Sequence, residues 1–183
     1  MNPSARDLLA HASDPDAPDT VLFARLLGAR IESDDLRLLG LDRRVLAALV
    51  ARHFPHDAHA LRAPIAPLVT SHARFLRDLH GLLMRHDCTA MRHPEDAHCL
   101  ATIIAAASLR PDHLWRDLGL AGRDDVTDML GRHYPALVAR NTANLRWKKF
   151  LAQEVAHERG DAPTSAPGCP GCEDFGFCYP DNR

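Results

Sequence analysis

Residues 94–108 read PEDAHCLATIIAAAS. Pro94 suits the first turn of a helix, where its missing N–H costs nothing. The Ala- and Leu-rich run behind it predicts that the helix continues through Ser108. Its apolar core, CLATIIAAASL, is too short to cross a bilayer. A short helical turn, HLWRDLGL (113–120), follows. Asp124 or Asp125 then opens a helix that stops at Pro135. Pro135 starts a last helix running to about Arg159, where Gly160 can take the left-handed cap position. Upstream, TVLFARLLGARI (20–31) places apolar residues at helical spacing behind Thr20, a candidate cap. Asp42 caps RRVLAALVARHF, which Pro55 terminates. Residues 56–64 read as a connector, and HDCTAMRH (86–93) as another. Between them a helix from about Pro67 to His86 turns Phe75, Leu76, Leu79, Leu82 and Leu83 toward the core.

Composition agrees with the pattern. Hydrophobic residues make up 46% of the 183-residue chain and aromatics 5%. Val and Ile are sparse beside Ala and Leu, which favours helix over strand. The expected fold is all-α: a single helical domain of about seven helices over residues 1–160. Residues 161–183 form a linker and a short irregular, cysteine-bearing tail with little reason to be ordered without a ligand. A net charge of −2 gives no pull toward nucleic acid or an anionic membrane. The start, MNPSARDLLAHASDPD, lacks a basic segment followed by an apolar core and is not a secretory signal. A cytoplasmic protein is expected.

Two stretches echo each other. LGLDRRVLAALVARHFP (39–55) and LGLAGRDDVTDMLGRHYP (118–135) each give a turn, a helix and an Arg-His-aromatic-Pro ending. An internal duplication and a chance likeness of two helical hairpins both account for this.

The tail stretch CPGCEDFGFC (169–178) holds Cys169, Cys172 and Cys178, three of the five cysteines. In the cytosol such a group points to metal rather than to disulfides. Pro170 and Gly171 suit a tight turn that aims two sulfurs at one ion or cluster. Zinc needs a fourth protein ligand: a histidine such as His157, or Cys88 or Cys99. An iron–sulfur cluster also usually takes four cysteines, but a cubane held at three corners leaves one open. A flexible tail with idle thiols is the third reading.

HLWRDLGL, then RHYPALVARNTANLRWKKFL (132–151), then the cysteine tail occur in one order. The combination resembles the NifQ family of nitrogen-fixation proteins. The resemblance implies a molybdenum-handling carrier rather than an enzyme. Its iron–sulfur cluster incorporates molybdenum and supplies it for the iron–molybdenum cofactor of nitrogenase. The implied partners are the nitrogenase iron protein and the cofactor-assembly scaffold. The implied ligands are Cys169, Cys172 and Cys178, with Cys99 the leading candidate for a fourth. The family's run is C-x4-C-x2-C-x5-C, and Thr164 occupies its first position here. Ser108 stands where the family tends to have a further cysteine. The alternative is a zinc-stabilised or metal-free helical interaction module that moves no molybdenum.

Other residues divide between sharp and plain roles. His113 is either a cluster ligand or donor, or a packed histidine at a helix start. Asp117 is expected to bond an Arg or backbone. Arg146, Lys148 and Lys149 offset an anionic cluster or dock an acidic partner, with Trp147 and Phe150 in the core. Asn141 and Asn144 bond the tail or face water. Among the twelve histidines, His53, His56 and His59 lie in or near one connector, and His93 and His98 bracket Pro94. None forms a strong ligand set. His53 and His133 sit near helix C-termini, where a cation is favoured. No phosphate loop, GxSxG or triad is present.

Overall fold

The computed structural model describes residues 1–56 and 68–180. His59, most of the 56–64 connector, Pro67 and the last three residues lie outside them. Every regular element among the described residues is helical. The helices are α1 (Pro3–Ala10), α2 (Pro18–Glu32), α3 (Arg43–His53), α4 (Ala73–His86), α5 (Pro94–Ala107), α6 (Leu114–Leu118), α7 (Arg123–His133), α8 (Pro135–Arg140), α9 (Trp147–Arg159) and α10 (Phe175–Cys178). Leu36–Leu39 and Cys169–Gly171 form 3-10 turns. No helix among the described residues is long and apolar enough to cross a membrane.

Local chemistry sets most boundaries. Asn2 Oδ1 accepts from Ala5 N at 2.8 Å and starts α1, where the sequence reading assigns no element. Asp42 caps α3 as expected, accepting from Val45 N at 2.8 Å. Thr20 does not cap α2. Pro18 already occupies the first turn, and Thr20 Oγ1 lies 2.9 Å from His53 Nδ1 instead. Helix α4 begins at Ala73, because Thr70 Oγ1 accepts from His72 N and holds a local turn before it. Asp125 reaches back from the first turn of α7 to Ala121 N at 2.8 Å. Gly160, at φ +72°, closes α9.

The single last helix expected over 135–159 is two helices. Asn141 Oδ1 accepts from Leu145 N at 2.8 Å, and its Nδ2 donates to Leu145 O at 3.0 Å. That side chain replaces the helical bonds, and Asn144 adopts φ +50°, which asparagine tolerates. The bend turns α9 back across the body, against α4.

The two echoing stretches occupy equivalent places in a duplicated unit. Helix α1 pairs with α2 as α4 pairs with α5. Gly40 and Gly119, at φ +71° and +72°, end the short turns before α3 and α7. A Cβ on Gly40 would meet Ala106 of α5, and one on Gly119 would meet Ala29 of α2. Each half therefore presses its glycine turn on the other half's long helix. The ends of α3 and α7 repeat the exchange. His53 Nε2 lies 3.1 Å from Asp96 Oδ2, and Arg52 holds Asp96 Oδ1 at 2.6 Å. His133 Nε2 lies 3.2 Å from Asp19 Oδ1, which Arg132 holds at 2.6 Å. Arg30 donates to Asp117 O at 3.0 Å, and Arg110 to Leu38 O at 3.2 Å. Reciprocity at three levels favours duplication over chance. Phe54 and Tyr134, the aromatic residues of the two echoes, are both fully buried.

One continuous apolar core runs through α1 to α9. Leu79, Leu82 and Leu83 are fully buried within it, and Phe75 and Leu76 pack at its edge.

Candidate metal centre

The tail is docked, contrary to the expectation of disorder. Ala166 is fully buried and packs with Cys169 and Ala152 of α9. Gly168 N donates to Ser108 O at 3.3 Å. Only glycine fits there, since a Cβ would lie 1.9 Å from Arg110 O. At Gly171 a Cβ would lie 2.4 Å from Pro111 Cβ. These close approaches lay the Cys169–Gly171 turn on the segment between α5 and α6.

Polar contacts fix the remainder. Arg146 Nη2 donates to Asp174 Oδ2 at 3.0 Å. Lys149 Nζ donates to the Cys178 carbonyl and lies 4.8 Å from the centre of the Tyr179 ring. Arg116 Nη1 donates to Glu173 Oε1 at 3.0 Å and to Asp112 Oδ1 at 3.1 Å. His113 Nε2 lies 3.5 Å from Glu173 Oε1 and 3.4 Å from Asp174 Oδ2.

Cys169, Cys172 and Cys178 line one pocket with His113, Trp115 and Arg146–Lys149. Cys169 is buried, and the other two are half-buried. Burial pushes the Cys169 and Cys178 thiols up. A backbone N–H bond and Lys148 oppose this at Cys169, and Lys149 and Arg146 at Cys178. The Tyr179 hydroxyl lies beside Cys169, and burial together with that thiol pushes its pKa up.

Lys148 is not on the exposed cationic patch that the sequence suggests. It is buried, bonded through Nζ to Asp117 Oδ2 and to Arg110 O, the latter at 2.7 Å. Asp117 also accepts from Arg110 Nε at 3.1 Å, which meets the expectation that it bonds an Arg. Burial lowers the Lys148 pKa, and Asp117 opposes that shift. Trp147 and Phe150 are in the core, edge to face at 5.9 Å, as expected. Asn141 and Asn144 serve the α8–α9 bend rather than the tail.

The packing sets the expected fourth cysteine apart from the other three. Cys99 lies in the core on α5, 4.0 Å from Arg52 Nη2, where burial pushes its thiol up to about 11. Cys88 is exposed and donates to Arg132 O. Neither lines the pocket, and neither does Thr164, which is exposed. His157 is exposed near the end of α9 and is also absent from the lining. The sequence reading did not single out Arg110, Arg116, Glu173 or Asp174. The acidic pair inside the cysteine run was the available signal; Arg110 offered none.

Zinc–sulfur bonds of about 2.3 Å hold tetrahedral sulfurs about 3.8 Å apart. Among the described residues, the ligand atoms that gather within 4.8 Å as a set of three belong to Asp112, His113 and Glu173; the three sulfurs form no such set. A cluster sets its cysteines wider, because each binds a different iron. Soft thiols in a shared pocket edged by cations fit an anionic cluster.

These helices close around three thiols of one docked tail, which defines an all-α protein with a C-terminal cysteine pocket. The chain belongs to the NifQ family, whose model matches residues 20–180. It is 36% identical over 151 residues to Protein NifQ of Azotobacter vinelandii, covering 77% of this chain and 76% of that protein. It is 41% identical over 102 residues to a NifQ homolog of Sinorhizobium fredii, covering 55% and 43%. Against Protein NifQ of Klebsiella pneumoniae it is 38% identical over 86 residues, covering 46% and 52%. No solved structure matches the chain. Membership gives the chain a role in nitrogen fixation, in an accessory rather than a catalytic family.

Proposed function

We propose that this protein carries an iron–sulfur cluster with molybdenum and supplies the molybdenum for the iron–molybdenum cofactor of nitrogenase. The supporting observation is the one pocket that Cys169, Cys172 and Cys178 line together, edged by Arg146, Lys148 and Lys149. Those three residues hold the cargo through their thiolates. Lys148, Lys149 and Arg146 offset its negative charge. The cargo supplies molybdenum in a sulfur-bound form. Three thiolates rather than four leave one metal position to a weaker ligand, which suits a protein that must release what it carries. The nitrogenase iron protein and the assembly scaffold are the proposed partners, in the cytoplasm.

The test is metal analysis of protein purified without oxygen from molybdate-fed cells, with an electron paramagnetic resonance spectrum. Iron, acid-labile sulfide and molybdenum with a cluster signal are expected. A triple Cys169→Ser, Cys172→Ser, Cys178→Ser variant loses them and keeps its helical circular dichroism. Equimolar zinc without sulfide, or a triple variant that binds iron as well as the native chain, overturns the proposal.

A further inference from the structure

We propose that His113 supplies the fourth protein ligand of the cargo, through Nδ1, beside Cys169, Cys172 and Cys178. The inference rests on the carrier reading above and names the donor at the position that three cysteines leave open.

His113 lines the same pocket as the three thiols. Its side chain is 15% exposed, so it is enclosed rather than a solvated surface group. The other sources of a fourth ligand lie elsewhere. Cys99 is in the core, Cys88 is on the far α4–α5 connector, and Thr164 is exposed and off the pocket.

The ring's surroundings match those of a metal-bound imidazole. Such an imidazole commonly turns its second nitrogen to a carboxylate, which fixes the tautomer and raises the basicity of the ligating atom. Here Nε2 faces Asp174 and Glu173, both in the segment between the second and third cysteines. That turns Nε2 to the carboxylates at ion-pair distance, 3.4 and 3.5 Å, and leaves Nδ1 as the ring's other donor atom. Trp115 lies parallel to the ring, with centroids 6.4 Å apart and planes 10° apart. The orienting carboxylates are themselves held, Glu173 by Arg116 and Asp174 by Arg146.

A separate ion held by Asp112, His113 and Glu173 fits less well. Arg116 already bridges both carboxylates at 3.1 and 3.0 Å, where a cation would have to sit. The trio positions His113 and ties the tail to the start of α6. A neutral imidazole also binds iron and related metals less tenaciously than a thiolate does. It can therefore hold the fourth position without trapping it.

The experiment is pulsed electron paramagnetic resonance on the full chain, loaded without oxygen with iron and sulfide. Protein grown with 15N-histidine is compared with unlabelled protein. A histidine nitrogen coupling that changes with the label is expected in the native chain. His113→Ala abolishes it. His113→Cys loads iron and sulfide without it. Glu173→Gln with Asp174→Asn retains it but weakens metal affinity about tenfold, as lost orienting partners do. Loading with no label-dependent coupling, or a coupling that persists in His113→Ala, overturns this inference alone. A native chain that takes up no iron and sulfide overturns the carrier reading and this inference with it.

Discussion

Asp117→Asn is the most informative single change in the body of the protein. Asp117 is the one carboxylate between two enclosed cations. Its Oδ1 takes Arg110 Nε at 3.1 Å, and its Oδ2 takes Lys148 Nζ. The three side chains are 10%, 14% and 5% exposed, so water screens them little. Asn keeps the shape and one acceptor but removes the charge. Removing one partner of a buried ion pair costs about 3–5 kcal/mol, because the other charge stays buried and uncompensated. That is a large share of the roughly 5–15 kcal/mol that stabilises a domain. With a urea m-value of about 2 kcal/mol/M, the midpoint should fall by about 2 M. Adding Lys148→Met removes one stranded cation and should recover part of the loss. The assay is urea unfolding followed by circular dichroism, on both single variants and the double. A midpoint drop under about 0.5 M for Asp117→Asn refutes the reasoning. So does strict additivity in the double variant, which would mean that Lys148 and Asp117 are not coupled.

Three further outcomes follow from the packing. Gly119→Ala places a residue at φ +72° and a Cβ 2.0 Å from Ala29 Cβ. The left-handed conformation costs about 1–2 kcal/mol and the overlap about 1–3 more, readable as a lowered Tm. Gly168→Ala carries no backbone strain, but its Cβ meets Arg110 O at 1.9 Å. It should free the tail to limited proteolysis after Gly160 while helical content holds. Asp96 and Asp19 are held below the usual carboxylate range. At Asp96 burial opposes the shift, but hydrogen bonds from His53 and Arg52 outweigh it; at Asp19 the bond from His133 leads. Depressed carboxylates stabilise the fold above their unfolded pKa of about 3.9, and that share is lost as pH falls through their folded values. The urea-midpoint gap between native protein and Asp96→Asn should therefore be full at about pH 6 and narrow below about pH 4.

The sequence by itself determined the helical class, because Ala-Leu periodicity, Pro94 and Pro135 at helix starts, Asp42 as a cap and Gly160 as a stop all act within a turn or two. It also showed the echo of 39–55 in 118–135 and the grouping of Cys169, Cys172 and Cys178, which are close in the chain. It did not separate α8 from α9, since Asn141 reads as an ordinary helix residue until its side chain closes on Leu145. Only the tertiary structure decided what the thiols face. The docked tail depends on Gly168 and Gly171 meeting Arg110 and Pro111, about 60 residues earlier in the chain. His113 shares a pocket with the three cysteines, and Cys99 does not, because α5 buries Cys99 in the core while the turn after it carries His113 to the tail. Local propensity is written residue by residue, but which donors share a pocket is set by long-range packing, and no spacing rule encodes it.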